Sequence, residues 1–384
     1  MTELEEITDL ERLRKAFKEV RSVSAWKTST QRYEANVTLN NLYLQNEART
    51  GMYKQSPMLD FTLNERGKIR DIHAPAVRDR VLQKVINQDV LLPCLRKYLI
   101  YDNSASLMYR GTSFARKRHL IHLRNFIRNY GKDGYILQID IKRYFDSIDH
   151  EICWKMIEPK IPDSTKPIIK YIIENASDSN KGLNLGSEVP QTLAVYYLHP
   201  VDNYCKIKRG IKYYGRYMDD IYIFGTDKAE LRKILDEIRK QLTTLKLKLN
   251  EKKTQIVKIT HGYMYMQLKY KVLESGKVVI SPAPVKITRE RRKLKAYKRL
   301  YDKGKITELE ILCAYRSWKG AILSDCSCYK SINNLDELYI ELFKKSPDRS
   351  ICFKIKRSDI LNSEGIKHFI LRDNPFTKRI GNYI

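Results

Sequence analysis

The amino-acid sequence predicts an α+β protein built on an antiparallel sheet with helices on one face. Two patterns predict this. Between residues 135 and 259, aromatic and β-branched runs alternate with runs of helical period, in the order strand, helix, helix, hairpin, helix, strand. That order lets a lone strand and a distant hairpin lie side by side in one sheet. The second pattern is the position of three acids, Asp140, Asp219 and Asp220, at strand ends rather than in solvated loops. A chain of 384 residues also has room for two or three lobes and a sizeable core.

From the N-terminus, residues 1–60 read as a helical extension of mixed charge. Leu10, Leu13, Ala16, Phe17 and Val20 recur at helical spacing behind Asp9, a natural cap, with Arg14, Lys15 and Lys18 on the opposite face. Residues 61–73 read as a hairpin turning at 64–67. Beyond the turn, Lys68 and Arg70 share one strand face. Such a pair can grip a phosphate chain, or simply charge an edge strand against aggregation. Pro75 breaks the strand, and Arg78, Asp79 and Arg80 open a helix carrying Val81, Leu82, Val85, Ile86 and Leu91. Residues 103–112 are turn-rich. A strongly basic helix over 116–128 follows, with Leu120, Leu123 and Phe126 as its buried side.

Residues 135–140 form the next strand, with Tyr135, Leu137 and Ile139 on one face and Ile136, Gln138 and Asp140 on the other, more polar one. Residues 181–186 are a glycine-punctuated loop. Pro190 then suits the first turn of a helix whose apolar side is Val189, Leu193, Ala194, Tyr197, Leu198 and Val201. Residues 213–224 read as a hairpin with Asp219 and Asp220 near its turn. Asp227 and Glu230 form a capping box for a helix burying Leu231, Ile234, Leu235, Ile238, Leu242 and Leu245. Residues 247–259 run from loop into strand, and 281–284 read as a linker. Composition then shifts: between Lys286 and Leu300 eight Lys/Arg face one acid, Glu290. A second helix over 307–317 ends at Ser317-Trp318-Lys319-Gly320. The expected divisions are 1–60, 61–134, 135–284 and 285–384.

The charge balance narrows the partners. Lys+Arg 72 against Asp+Glu 45 leaves a formal net charge of +27, which predicts a polyanion, nucleic acid ahead of a membrane surface. Twenty-six tyrosines add flat rings with polar tips, suited to stacking on bases. Seven scattered cysteines fit a reducing compartment, and Cys326 with Cys328 lacks the second pair of a zinc site. An acidic, polar start and the lack of any membrane-length apolar run lead to the expectation of a cytoplasmic protein without membrane association.

Adjacent carboxylates repel unless a cation sits beside them, and an isolated Asp-Asp pair in a turn is ordinarily solvated. Asp140 on another strand end shifts that balance. Carboxylates on neighbouring strands can hold two Mg²⁺ ions roughly 3.5–4 Å apart, the arrangement of in-line phosphoryl transfer, with Mn²⁺ as the alternative ion. A primer 3′-hydroxyl would be activated at one ion and an incoming triphosphate carried at the other.

These residues resemble the motifs of reverse transcriptases, bacterial and phage ones above all. Tyr217-Met218-Asp219-Asp220 matches the Tyr-X-Asp-Asp signature, and Gln138-Ile139-Asp140 with Phe145 matches the first catalytic motif. Gly182-Leu183-Asn184-Leu185-Gly186 followed by Gln191 matches the second. Leu249-Asn250-Glu251-Lys252-Lys253-Thr254 is similar to the next, and Tyr263-Met264-Tyr265-Met266 looks like the primer-grip hairpin. Arg70, Pro75 and Arg78-Asp79-Arg80-Val81 resemble the fingers motifs, so the likeness spans residues 61–270. Several motifs in order are specific where one would be weak. The glycine loop is similar to that of diversity-generating retroelements. Those usually carry Ser before the Gln, where this chain has Pro190, so an antiphage-defence reverse transcriptase stands as an equal reading.

The resemblance implies a right-hand polymerase with fingers (61–134), a palm of antiparallel sheet and helices (135–284) and a helical thumb (285–384). It implies an RNA-directed DNA polymerase that uses dNTPs, a DNA or RNA primer and a dedicated structured non-coding RNA template, with an accessory protein or a second copy as further partner. Asp140 and Asp219 would be metal ligands, with Asp220 completing the acidic set. Phe145 would be the steric gate against a ribose 2′-hydroxyl, although alone it also reads as a core aromatic. Gln191 would lie near the templating base, or on a helix surface. Lys68 and Arg70 would clamp the triphosphate. Lys253 would approach the leaving pyrophosphate, with a solvated lysine as the competing reading. Tyr217 would pack under the primer end, and Arg289, Arg292, Lys293, Lys295, Arg299 and Trp318 would hold the duplex product. No RNase H, maturase or endonuclease module is expected after the thumb. Competing readings are a defence polymerase making repetitive or untemplated DNA, an RNA-copying RNA polymerase, and a catalytically silent nucleic-acid scaffold. The acid triad argues against the last.

Overall fold

The computed structural model describes residues 2–65, 68–177, 179–184, 186–326 and 329–348; the side chains of Lys68 and Arg70 lie outside the described set. The chain forms two compact units, Met1–Val257 and Lys258–Ile384. This division falls before residue 285, because three strands over 263–282 form their own sheet beside the helical remainder. Among the described residues, no helix is long and apolar enough to cross a membrane.

In the first unit the N-terminal extension is helical, as its periodicity predicts. Asp9 caps helix Leu10–Ser22 by accepting from the Glu11 backbone N–H. Leu13, Ala16, Phe17 and Val20 are buried. They join the same apolar core as Val81, Leu82 and Val85 of helix Val77–Val85, so the extension is part of the unit's core. Two strands, β1 (Leu59–Glu65) and β2 (Lys68–Ala74), form an antiparallel ribbon with Leu59, Phe61 and Ile69 exposed.

The central sheet contains β3 (Tyr135–Ile139), β4 (Tyr214–Tyr217), β5 (Asp220–Gly225) and β6 (Gln255–Lys258), in the order β4-β5-β3-β6. Strand β5 runs antiparallel to both β3 and β4. Side chains alternate across a sheet, so each strand presents two sets. Leu137, Ile139, Ile221 and Ile223 belong to the main core. The other set is also covered, which corrects the expectation of helices on one face. Helix Thr112–Tyr130 lays His119, His122 and Phe126 over Tyr222 and Phe224. Those two histidines, rather than Leu120, share its buried side with Leu123 and Phe126. Burial pushes His122 down to about 4 and His119 well below its ordinary range, so both pack as neutral rings.

Two local expectations fail for physical reasons. Asp227 caps helix Lys228–Thr244 through Ala229 and Glu230 N–H, but the reciprocal half of a capping box is missing because Glu230 turns to Arg209 at 2.7 Å. Helix Glu308–Leu323 runs through Gly320 instead of stopping there, since a glycine lowers helix propensity without breaking the hydrogen-bond ladder.

The second unit carries β7 (Tyr263–Tyr265), β8 (Leu268–Val272) and β9 (Val278–Pro282) in an antiparallel meander. Helices Pro284–Asp302, Glu308–Leu323 and Tyr329–Phe343 follow, around Leu294, Ile311, Leu312, Tyr315, Leu335 and Tyr339.

One glycine in β4 is required by its cross-strand partner. Gly215 lies opposite Tyr222, and a Cβ there would meet the Tyr222 ring and hydroxyl at 2.5–2.7 Å. That ring is buried and its hydroxyl meets His122 Nδ1 at 3.0 Å, so it cannot swing aside. Gly215→Ala should therefore destabilise the first unit by about 1–3 kcal/mol, read as a lower urea midpoint at unchanged slope.

Candidate active site

The register of three strands assembles the acids. Ile139 pairs with Ile221 across β3 and β5, so Asp140, the next residue, ends its strand beside Asp220. Tyr217 pairs with Asp220 across β4 and β5, which leaves Met218 and Asp219 as a two-residue turn. Met218 takes the left-handed conformation (φ 52°) that tight hairpin turns demand, at a steric cost to a residue bearing a Cβ.

A buried ion pair holds that turn. Arg216 and Asp202 both have 0% side-chain exposure. Arg216 Nε and Nη2 donate to the two Asp202 oxygens at 2.8 and 2.5 Å. Its Nη1 donates to the Met218 carbonyl at 3.0 Å, and Nη2 also reaches the Val195 carbonyl at 2.9 Å. Tyr214 Oη donates to Asp202 at 2.5 Å. The Arg216 backbone adds two bonds, to the Asp102 carbonyl and from the Ser104 N–H. One arginine thus ties the turn to helix Glu188–Tyr197 through its guanidinium and to the 102–104 loop through its backbone.

Asp140 is held from the other side. Asn250 Nδ2 donates to Oδ1 and Lys253 Nζ to Oδ2, both at 2.7 Å. The Asn250 N–H donates to the Asp140 carbonyl at 2.8 Å. Burial first, and then the charges of Asp219 and Asp140, push the Asp220 carboxyl up to about 7, against the pull of Lys253. Burial opposes ionisation of Lys253, but the Asp140 hydrogen bond outweighs it and raises the ammonium group's pKa. Three carboxylates crowd one site, with Lys253 paired to Asp140. The site's donors are hard oxygens, the set that suits Mg²⁺ or Mn²⁺. Among the described residues no three His, Cys, Asp or Glu side chains already close on one ion. Mg²⁺ takes one or two carboxylates and completes its shell with water and substrate phosphates.

The other sequence candidates sit on several separate elements. Phe145 sits half-buried in the turn Tyr144–Ser147, and its carbonyl accepts from the Leu183 N–H at 2.9 Å. The Ile148 carbonyl accepts from Gly182 N–H at 2.7 Å, and Gly182 takes a φ of 101°, which side chains rarely adopt. The glycine loop is therefore strapped to the turn that carries Phe145, except that Leu185 lies outside the described residues. Gln191 lines a cavity of about 510 Å³ with Lys84, Asn87, Gln88 and Glu188, and none of the three acids lines it. Tyr217 is half-buried beside the acids. Arg289, Arg292, Lys295 and Arg299 are exposed along helix Pro284–Asp302, while Lys293 leans to Glu290 at 3.7 Å. Trp318 stacks on Tyr315 at 6.0 Å and packs on its unit's core, so much of its ring serves folding. Cys326 is buried, and Cys328 lies outside the described residues.

Sequence reasoning passed over Arg216 and Asp202, although both were legible as charges inside apolar runs. It quoted Asn250 without giving it a role.

A family model described as "Reverse transcriptase (RNA-dependent DNA polymerase)" matches residues 54–286. Protein YkfC of Escherichia coli (strain K12) is 21% identical over 281 residues, 61% of this chain and 71% of that protein. Among solved structures, telomerase from Candida albicans with a TWJ fragment of telomeric RNA aligns at 12% identity and TM-score 0.47. That alignment covers 78% of this chain and 60% of that one. Apo telomerase from Candida tropicalis aligns at 13% identity and TM-score 0.49, covering 75% and 60%. The chain thus spans about three-fifths of each telomerase chain, and at these values the likeness says nothing of shared substrates.

Breaking the buried pair leaves one charge stranded in the core. Asp202→Asn should cost about 3–5 kcal/mol of unfolding free energy, measured by urea titration, whereas substitution of an exposed pair such as Lys155–Glu151 should cost under about 1 kcal/mol.

Proposed function

The chain belongs to the reverse transcriptase family, and from that premise we propose that it is an RNA-directed DNA polymerase. It adds dNTPs to a DNA or RNA primer on a dedicated structured non-coding RNA. The observation that carries this reading is the strand register that sets Asp140 beside Asp219 and Asp220. A protein that only bound nucleic acid would gain nothing from three carboxylates crowded until one resists ionisation.

Asp140 and Asp219, with Asp220 in support, would hold two Mg²⁺ ions, which when bound supply charge stabilisation at the attacking 3′-oxygen and the triphosphate. The protein's own groups do the rest. Asn250 fixes the Asp140 carboxylate, and Lys253 is within reach of the charge that develops on the leaving pyrophosphate, to which it can give a proton. Phe145 fills the space a ribose 2′-hydroxyl would need. Lys68 and Arg70 grip the triphosphate oxygens, Gln191 lies by the templating base and Tyr217 supports the primer end. Arg289, Arg292, Lys293, Lys295 and Arg299, with Trp318, steady the duplex product through its phosphates. In this reading the palm, fingers and thumb follow the divisions drawn from the sequence. The protein works in the cytoplasm within a retroelement or antiphage-defence system.

Two experiments test it. The Asp219→Asn, Asp220→Asn double variant should extend an oligo(dT) primer on poly(rA) about 10³-fold more slowly or worse; extension at the unaltered rate would sink the catalytic assignment. Phe145→Ala should raise ribonucleotide incorporation roughly 10–100-fold relative to dNTPs, scored by alkali-labile product; an unchanged ratio would remove the gate from Phe145.

A further inference from the structure

We propose that the outer face of helix Thr112–Tyr130, together with the adjoining segment 204–213, is a second nucleic-acid surface that grips the phosphate backbone of double-stranded RNA. The choice of RNA rests on the reverse-transcriptase reading; the surface itself rests on charge placement. At the chain's average of 45 acids in 384 residues, nineteen residues would hold about two, yet this helix holds none. Its buried side is His119, His122, Leu123 and Phe126, turned to the sheet. Lys117, Arg124 and Arg128 are exposed at steps of seven and four residues, which sets them on one stripe on the side away from the sheet. At 1.5 Å per residue the stripe is about 16 Å long.

Segment 204–213 is also free of acids and runs along the flank of the helix. Asn129 Nδ2 donates to Tyr213 Oη at 2.7 Å, and the Phe126 and Tyr213 rings meet edge to face at 5.6 Å. Three neighbouring cations are neutralised by acids. Arg118 and Lys206 share Asp102 at 2.8 and 3.0 Å, and the exposed Arg209 meets Glu230 and Glu237 at 2.7 and 3.2 Å. Lys208 and Lys212 are exposed as well, each over a tyrosine ring of its own segment at 5.7 Å. Cations needed only for folding would be expected to find acids, as those three do.

This surface is not the catalytic face. The helix stands between the stripe and β5, and its rings cover Tyr222 and Phe224, so a strand held there lies apart from Asp219 and Asp220. Between Lys117 and Arg128 the outer face offers no exposed aromatic ring on which unpaired bases could stack. A rigid row of cations without stacking platforms suits the regular phosphates of a duplex and reads no sequence. The surface would anchor a folded part of the RNA while another part is copied.

The test uses the full chain with Lys117→Ala, Arg124→Ala and Arg128→Ala combined, since alanine favours the helix. Binding of a fluorescent RNA hairpin of arbitrary sequence is followed by anisotropy across a salt series. Affinity should fall at least tenfold, and the slope of log affinity against log salt should become shallower by about 2–3. The unfolding midpoint and oligo(dT) extension on poly(rA) should not change. Unchanged hairpin affinity and slope would overturn the proposal, and so would an equal loss of extension on poly(rA). Should the triple variant unfold early, Arg124→Gln with Arg128→Gln must show the smaller slope change, or the proposal fails. If the unaltered chain extends no primer, the reverse-transcriptase reading fails instead, while the slope measurement still reports on the stripe.

Discussion

The candidate site depends on one buried ion pair, Arg216 with Asp202. A charge pair taken out of water contributes little net stability, because desolvation offsets most of the attraction. What it supplies here is position. The guanidinium makes directional bonds to a carboxylate, to the Val195 carbonyl of a separate helix, and to the carbonyl of the strained residue in the turn. A hydrophobic pair of the same volume could fill the space but could not fix where Met218 and therefore Asp219 stand. The turn is held in a conformation a methionine does not choose, and the cost is met by interactions from outside the hairpin.

Position then creates an electrostatic problem that the rest of the site addresses. Register brings Asp140 against two carboxylates that are already adjacent, and partial burial limits their access to water. Asn250 and Lys253 satisfy both oxygens of Asp140, but Asp220 is left with its ionisation opposed. The protein thus keeps a cluster of acids inside a chain that carries +27 overall. Many of its basic residues lie on surfaces, such as helices Thr112–Tyr130 and Pro284–Asp302, while Lys253 reaches Asp140. Exposed cations and crowded acids are thus kept on different elements.

Much of this was legible in the sequence, for identifiable reasons. Strand patterns around 135–140 and 213–224 are strong because β-branched and aromatic residues crowd a two-residue period. The Asp9 cap and the apolar stripe behind it are local features, and local features survive into the fold. Predictions failed where a residue had a choice of partners. Glu230 left its capping box for Arg209, which lies distant in sequence. His119 and His122 took a buried face, because Tyr222 of β5 and Tyr213, just ahead of β4, made neutral rings acceptable there. The first compact unit ends at Val257, ahead of the compositional shift near residue 285, because β7, β8 and β9 pair with one another.

The sequence by itself determined the chemistry available: three acids at strand ends, a lysine and an asparagine shortly before a strand, and an excess of cations for a polyanion. It could do so because residue type and two-residue or helical period are properties of the chain alone. Only the tertiary structure decided which acids meet, and what holds them there. Asp140 reaches Asp220 through a pairing of strands some eighty residues apart, and Arg216 reaches Asp202 through the core. Interactions of that range depend on burial and register, which no short stretch of sequence carries.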